Sequence, residues 1–282
     1  MARSLKGCYP FRLATTSFIH PAGYLENVRR LAPLLDEIEL LFLERLHPPS
    51  TDEILQLRDF AEQGDITYNI HLPMDISVAD PSPANRKQSI DAVVEFIERA
   101  IPLNPTSHTL HLTFPGGDQR PDTVRTWQET AVKGLTRLLD RISLSSRALC
   151  LETLDFPPLW LSPIVERLDL SICLDAGHLL RFGFGLEEAL QLFSRRIGIF
   201  HLHGVSGTSD HLALNHLSAN ILELLAKTLR KFSGSVSLEV FSHAELTDSM
   251  ACFSGMMSHV STFATDRRIA HKPHESYQKS KG

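Results

Sequence analysis

Short apolar or β-branched runs recur along this chain at nearly regular intervals, separated by amphipathic stretches long enough to form helices. Eight such runs are read as strands, at 11–17, 37–42, 66–71, 107–113, 148–153, 170–175, 197–203 and 235–241. Between them, Tyr24, Val28, Leu31 and Leu35 recur at helical spacing, as do Ile90, Val93, Val94, Ile97 and Ile101. Thr51, Asp52 and Glu53 mark a helix start and Pro102 a stop. A parallel return needs a long connection, so this alternation implies a parallel sheet. Eight β/α units close naturally into an α/β barrel, the (β/α)8 or TIM barrel, and the 282 residues fit one such domain. The alternative is an open doubly wound sheet, but the first strand is not followed by GxGxxG and no P-loop occurs. Residues 1–265 are predicted to form a single catalytic barrel without internal linker or repeat. Residues 266–282 carry five Lys/Arg against two Asp/Glu and no apolar period, so a loose basic tail is predicted there, with His271 and His274 solvated.

The chemistry is concentrated at the strand ends. Glu39 lies within the second strand, His71 ends the third, and His111 lies near the end of the fourth. Glu152 ends the fifth and Asp175 the sixth, His201 and His203 end the seventh, and Glu239 lies near the end of the eighth. In a closed β/α barrel these ends converge on one mouth, where active sites are built. Side chains two apart share a face, which pairs His201 with His203, Cys150 with Glu152 and Cys173 with Asp175. His178 follows Asp175 by three, with Gly177 expected to let the chain turn back toward the mouth. Asp210 and His211 sit in a Gly/Ser-rich loop after the seventh strand.

One histidine or glutamate at a strand end is ordinarily a hydrogen-bonding or salt-bridging residue. So many carboxylates around one lumen would repel one another and sit unpaired unless cations neutralised them. Imidazole and carboxylate donors suit Zn²⁺, Mn²⁺, Fe²⁺ or Co²⁺, and this number of donors exceeds the needs of one ion. Two or more divalent ions are therefore expected, held by His71, His111, Glu152, Asp175, His178, His201, His203, His211 and Glu239. Whether His201 or His203 is the direct ligand is left open. Glu152, Glu239 and Asp210 are the expected catalytic carboxylates: Glu152 bridges, Glu239 serves as an acid or base, and Asp210 orients His211 or binds metal itself. His108 is expected to face outward, and His20, His47, His216, His243 and His259 are assigned no chemical role. Arg12, Arg120 and Arg181 are the cations available to a phosphate.

Composition narrows the partners. A net charge of -5 gives no global attraction to a polyanion, so a small molecule rather than a nucleic-acid polymer is expected. The four cysteines form no CxxC, which points to neither a disulfide framework nor a cysteine zinc knuckle. No apolar run is long enough to span a bilayer and no leader pattern opens the chain, so a cytoplasmic protein with no membrane partner is expected.

The motifs Asn69-Ile-His71, Leu110-His-Leu112, Leu151-Glu-Thr153, Leu174-Asp-Ala-Gly-His178, Phe200-His-Leu-His203 and Leu238-Glu-Val240, spread over residues 11–245, resemble the xylose-isomerase-like barrels. That superfamily includes apurinic-site endonucleases and metal-dependent sugar isomerases and epimerases. The endonuclease-type pattern implies three metals, held at His71, His111, Glu152, Asp175, His178, His201 or His203, an Asp-x-His loop, and Glu239. Here Asp210 and His211 are adjacent instead. The sugar-enzyme branch needs only Glu152, Asp175, one histidine of the seventh strand and Glu239. Phe11-Arg-Leu-Ala-Thr-Thr-Ser-Phe-Ile19, Tyr68-Asn-Ile-His-Leu-Pro73, Cys173-Leu-Asp-Ala-Gly-His178 and His201-Leu-His-Gly204 are most similar to the cobamide-remodelling phosphodiesterases. That resemblance implies hydrolysis of the nucleotide loop of a corrinoid, with the loops at 73–85 and 114–120 shaping specificity. A metal-dependent sugar isomerase or epimerase is the alternative, and a noncatalytic corrinoid-binding protein a third possibility that the intact donor set disfavours.

Overall fold

The computed structural model describes residues 3–42 and 48–269, with side chains described through residue 258. Strands β1 (Arg12–Thr16), β2 (Glu37–Leu41), β3 (Thr67–His71), β4 (His108–Leu110), β5 (Leu149–Glu152), β6 (Ser171–Asp175) and β7 (Ile197–Leu202) precede a small hairpin, β8 (Gly204–Ser206) and β9 (Ser209–Leu212). Strand β10 (Ser235–Leu238) completes the set. The helices are α1 (Tyr24–Leu31), α2 (Thr51–Gly64), α3 (Pro83–Ala100), α4 (Pro121–Leu139), α5 (Ser162–Leu168), α6 (Ala176–Arg181), α7 (Leu186–Leu192), α8 (Ala219–Leu229) and α9 (His243–Ile269). Eight strands close into a barrel in the order β1-β10-β7-β6-β5-β4-β3-β2, and every neighbouring pair is parallel.

Local signals set the element ends. Ser50 and Glu53 cap α2 reciprocally, each side chain accepting the other's backbone N–H, which satisfies two otherwise orphaned donors. Asp65 and Asn104 stop their helical segments in the left-handed region, where short polar side chains are tolerated. The predicted stripe on α3 ends one residue early: Ile101 opens a 3-10 turn before Pro102 and is exposed. Between the α7 and α8 segments, the stretch expected to be irregular forms the β8–β9 hairpin instead. Helix α9 runs to Ile269, past the predicted start of the tail. The remainder of that tail with His271 and His274, and also His47, lie outside the described residues, as does the side chain of His259.

The pleat separates two environments. Leu13, Ile38, Tyr68, Ile70, Leu110, Leu151, Leu174, Phe200 and Val236 point outward into one continuous core beneath the helices. Inward-facing Cys150, Cys173 and Ile199 form a small separate apolar cluster in the lumen. Most other lumen positions are polar and fully buried, including Glu37, Glu39, Asn69, Thr109, Glu152, Asp175, His201 and Ser237. His108 faces away from the lumen, as expected, and is buried under the helical layer, where burial pulls its pKa down to about 4 against the opposing pull of the Ala148 backbone. Among the described residues no helix is long and apolar enough to cross a membrane.

Candidate metal centre

The barrel register brings the strand ends to one level. Asp175 pairs with His201 across β6 and β7, Glu152 with Cys173 across β5 and β6, and Ser237 with His201 across β10 and β7. Donor atoms from His71, His111 and Glu152 lie within 4.8 Å of one another, as do those of Glu152, Asp175, His201 and Glu239. A third group within the same limit joins His178, His203 and His211. Glu152 connects the first two groups: its Oε2 faces His111 Nε2 at 2.7 Å and His71 Nε2 at 3.2 Å, while its Oε1 faces His201 Nδ1 at 3.4 Å and His178 Nδ1 at 3.5 Å.

Hydrogen bonds decide which ring nitrogen each histidine offers. His71 Nδ1 donates to the Leu72 carbonyl at 2.9 Å, which leaves Nε2 facing Glu152 Oε2 at 3.2 Å. His201 Nε2 donates to Glu39 Oε1 at 2.9 Å, and Glu39 Oε2 accepts the Ser237 hydroxyl at 2.6 Å. Glu39 is thus the partner that fixes the orientation of His201. His201 Nδ1 is left facing Glu239 Oε2 at 3.1 Å and Glu152 Oε1. These three buried atoms, His201 Nδ1, Glu152 Oε1 and Glu239 Oε2, have no hydrogen-bond partner among the described residues. With His201 neutral, these are three converging acceptors without a proton donor, costly to bury and matching the environment of a cation.

His203 differs from His201. Its Nδ1 faces the His211 backbone N–H at 2.9 Å and the Gly204 carbonyl at 3.3 Å, and its Nε2 faces Asp175 Oδ1 at 3.1 Å. Both nitrogens are occupied by protein, so His201 is the histidine of β7 with a free ligand atom, and His203 serves the third group by orienting Asp175 and His211. Asp175 also caps α6, accepting the His178 N–H at 2.7 Å, so residues 176–178 begin a helix rather than a returning loop. Gly177 is required for a different reason from the expected turn: a Cβ there would collide with the His203 ring. His211 sits at φ 52°, a left-handed conformation that only Gly adopts freely, which aims its ring at the group. Asp210 is not brought into any of these groups, because its carboxylate pairs with the Arg181 guanidinium on α6. Cys173 is brought closer than the sequence implied: its Sγ lies within 4.8 Å of donor atoms of Glu152 and His201. Burial pushes its thiol pKa well up, so it is a neutral neighbour beneath the centre.

Electrostatics follow from this packing. Burial lowers the His201 pKa, but the carboxylates Glu39, Glu239 and Glu152 outweigh it and hold the ring well above its ordinary value. His203 is depressed by burial and raised by Asp175, with the net result pushed up to about 9. His71 and His178 are likewise raised, against burial, by Glu152 and Asp175 respectively. Burial raises the carboxyl of Glu152, but His111 and His201 pull it well below the usual range, and His201 does the same for Glu239. Protein groups alone therefore neutralise the site with protons, and these are the protons that a divalent cation would displace.

A closed parallel barrel whose mouth gathers imidazoles and carboxylates is an α/β barrel with a candidate metal site where active sites of this fold are built. The chain belongs to the xylose isomerase-like TIM barrel family, whose model matches residues 28–254. No curated protein matches it in sequence. Among solved structures it is similar to a D-tagatose 3-epimerase-like protein, at 17% identity and TM-score 0.76 over 90% of this chain and 100% of that one. The IolI protein, described with a binding zinc atom, is 14% identical with TM-score 0.67 over 90% and 99% of the two chains. Endonuclease IV from Thermus thermophilus is 17% identical with TM-score 0.65 over 88% and 99%. At these identities the likeness establishes the fold.

Proposed function

We propose that this chain is a metal-dependent hydrolase of compact phosphodiesters, with the nucleotide loop of a cobamide as its substrate. The observation that carries this reading is the division of Glu152, one oxygen toward His71 and His111 and the other toward His201 and His178. Such a carboxylate suits two neighbouring cations, and His71 and His111 have no task in a mononuclear sugar enzyme. Divalent ions held by these groups, Zn²⁺, Mn²⁺ or Co²⁺ by their chemistry, would polarise a phosphoryl oxygen and lower the pKa of a bound water. The residues supply the rest. Glu39 and Ser237 hold His201 in its tautomer, Asp175 orients His178 and His203, and Glu239 completes the donor group with Glu152, Asp175 and His201. At the rim, Asp210 holds the Arg181 guanidinium beside the third group, where it can meet a phosphate. The cobamide assignment follows from the motif resemblance, and the net charge of -5 supports a compact substrate over a nucleic-acid polymer.

The test is to incubate metal-loaded protein with an intact cobamide and identify products by mass spectrometry. A cobinamide-type corrinoid with a released lower-ligand fragment is expected, with little nicking of abasic duplex. Nicking with the cobamide left intact contradicts the substrate. A second reading, a sugar epimerase, is favoured by one observation: Glu152, Asp175, His201 and Glu239 form a complete donor group by themselves. It predicts ketose interconversion that survives His111→Ala, whereas phosphodiester hydrolysis does not survive it.

A further inference from the structure

Beside the metal groups the mouth holds a second built feature. Adjacent strands β1 and β10 are each followed by a loop that places a phenylalanine in solvent, Phe18 at 36% exposure and Phe241 at 43%. Between these loops lies a pocket of about 480 Å³ lined by Phe18, Ile19, His20, Phe241, Ser242 and His243 together with Pro21. That volume falls within the range of small-molecule sites, about 300–1,000 Å³. None of the lining side chains carries a fixed charge. The two exposed rings give the mouth of this pocket apolar faces that a ligand can cover.

The walls are preformed. The fully buried Asn27 side chain accepts the His20 N–H at 2.8 Å and donates to the carbonyls of His20, Ala22 and Gly23, which pins the loop after β1. On the other side Ser242 accepts the Glu245 N–H and donates to its carboxylate, fixing the start of α9. His20 and His243 stack with ring centroids 5.3 Å apart, and Phe18 packs edge-on against Tyr24. Burial, with Arg30 and His243 nearby, lowers the His20 pKa. Phe241 also meets His211 of the third group, with centroids 5.0 Å apart, so an occupant of the pocket lies one ring away from the metal donors.

We propose that this pocket receives a planar, uncharged heteroaromatic ring carried by the substrate on the group released from the phosphoester. Phe18 and Phe241 supply stacking faces, and the two imidazoles supply edge nitrogens that meet ring nitrogens of the ligand. The assignment deepens the phosphodiester reading and rests on it, since that reaction releases a group attached directly at the metal-facing side.

The probe is benzimidazole, with cyclohexanol as the non-planar control, titrated into the full-length metal-loaded protein by saturation-transfer NMR. Benzimidazole is expected to bind and cyclohexanol to give no transfer. Phe18→Leu and Phe241→Leu, which keep an apolar side chain but remove the ring, should each weaken benzimidazole about tenfold, the scale of one lost stacking platform. Metal content should be unchanged in Phe18→Leu, which touches no metal donor. Absence of benzimidazole binding, or binding equal in wild type and both variants, overturns the pocket. Hydrolysis of bis(p-nitrophenyl) phosphate is followed in the same samples. Hydrolysis without ring binding overturns the pocket and leaves the reaction standing, whereas ring binding lost in the variants but unaccompanied by hydrolysis supports the pocket and overturns the reaction.

Discussion

Two fully buried glutamates share the barrel lumen and live in opposite circumstances. Glu37, toward the N-terminal end, accepts from Arg12 Nε at 3.1 Å, Thr67 Oγ1 at 3.1 Å, Thr106 Oγ1 at 2.6 Å and Asn69 Nδ2 at 2.9 Å. Glu152, at the mouth, has histidines as its ion-pair partners with Asp175 and Glu239 close by, and its Oε1 has no hydrogen-bond partner among the described residues. The same side chain in the same barrel is saturated by protein donors at one end and left open at the other. A buried carboxylate survives with donors or with a cation. On the proposed reading the N-terminal end is built for stability and the mouth for metal.

The largest expected effect breaks this comparison at the mouth. Glu152→Gln removes the charge shared by two donor groups, so metal affinity should fall by more than about a hundredfold, beyond what losing a supporting partner costs. Thermal stability of the chelator-treated variant should hold at the wild-type level, read by melting curves beside metal analysis. The converse substitution, Glu37→Gln, should keep the metal and lose about 2 kcal/mol of stability in urea titration, because Arg12 and its neighbours lose a charged acceptor. If Glu37→Gln lost metal as completely as Glu152→Gln, the two ends would not be separate in function.

Glu39 sharpens the comparison, since it sits between the two ends and meets the candidate ligand His201 at its far nitrogen, with Ser237 on its other oxygen. Glu39→Gln should weaken metal binding by about 10–100-fold through the His201 tautomer, with ligand count unchanged. The smallest effect is in pH. His203 in the metal-free fold titrates at about 9, above the ordinary value of 6.5, so the native state holds a proton that the unfolded chain releases. Its contribution to stability is complete below about 6.5 and lost as pH rises toward about 9. Urea midpoints of chelator-treated protein should fall across that window, while those of metal-loaded protein should not.

Much of this is legible in the sequence, because strand alternation is a local property. The period of two places Cys150 with Glu152 and Cys173 with Asp175 on the inner face, and the crossover lengths impose a parallel closed sheet. What is not legible depends on partners far along the chain. The ring nitrogen that His201 offers is set by Glu39, 162 residues away, and nothing near either residue encodes the pairing. The same holds for Asp210, a plausible ligand by spacing that the fold pairs with Arg181. His203 looks equivalent to His201 by period, but the hairpin backbone at His211 occupies its Nδ1. Gly177 reads as a turn residue and is in fact cleared for a ring packed against it.

The central claim is that the unpartnered acceptors at the mouth, His201 Nδ1, Glu152 Oε1 and Glu239 Oε2, are there to hold cations. Metal analysis of protein purified without chelator tests it directly. Two or more divalent ions per chain, on the scale expected for a carboxylate bridging two donor groups, is the predicted result. Less than about half an equivalent, with no uptake on adding Zn²⁺, Mn²⁺ or Co²⁺, would contradict it.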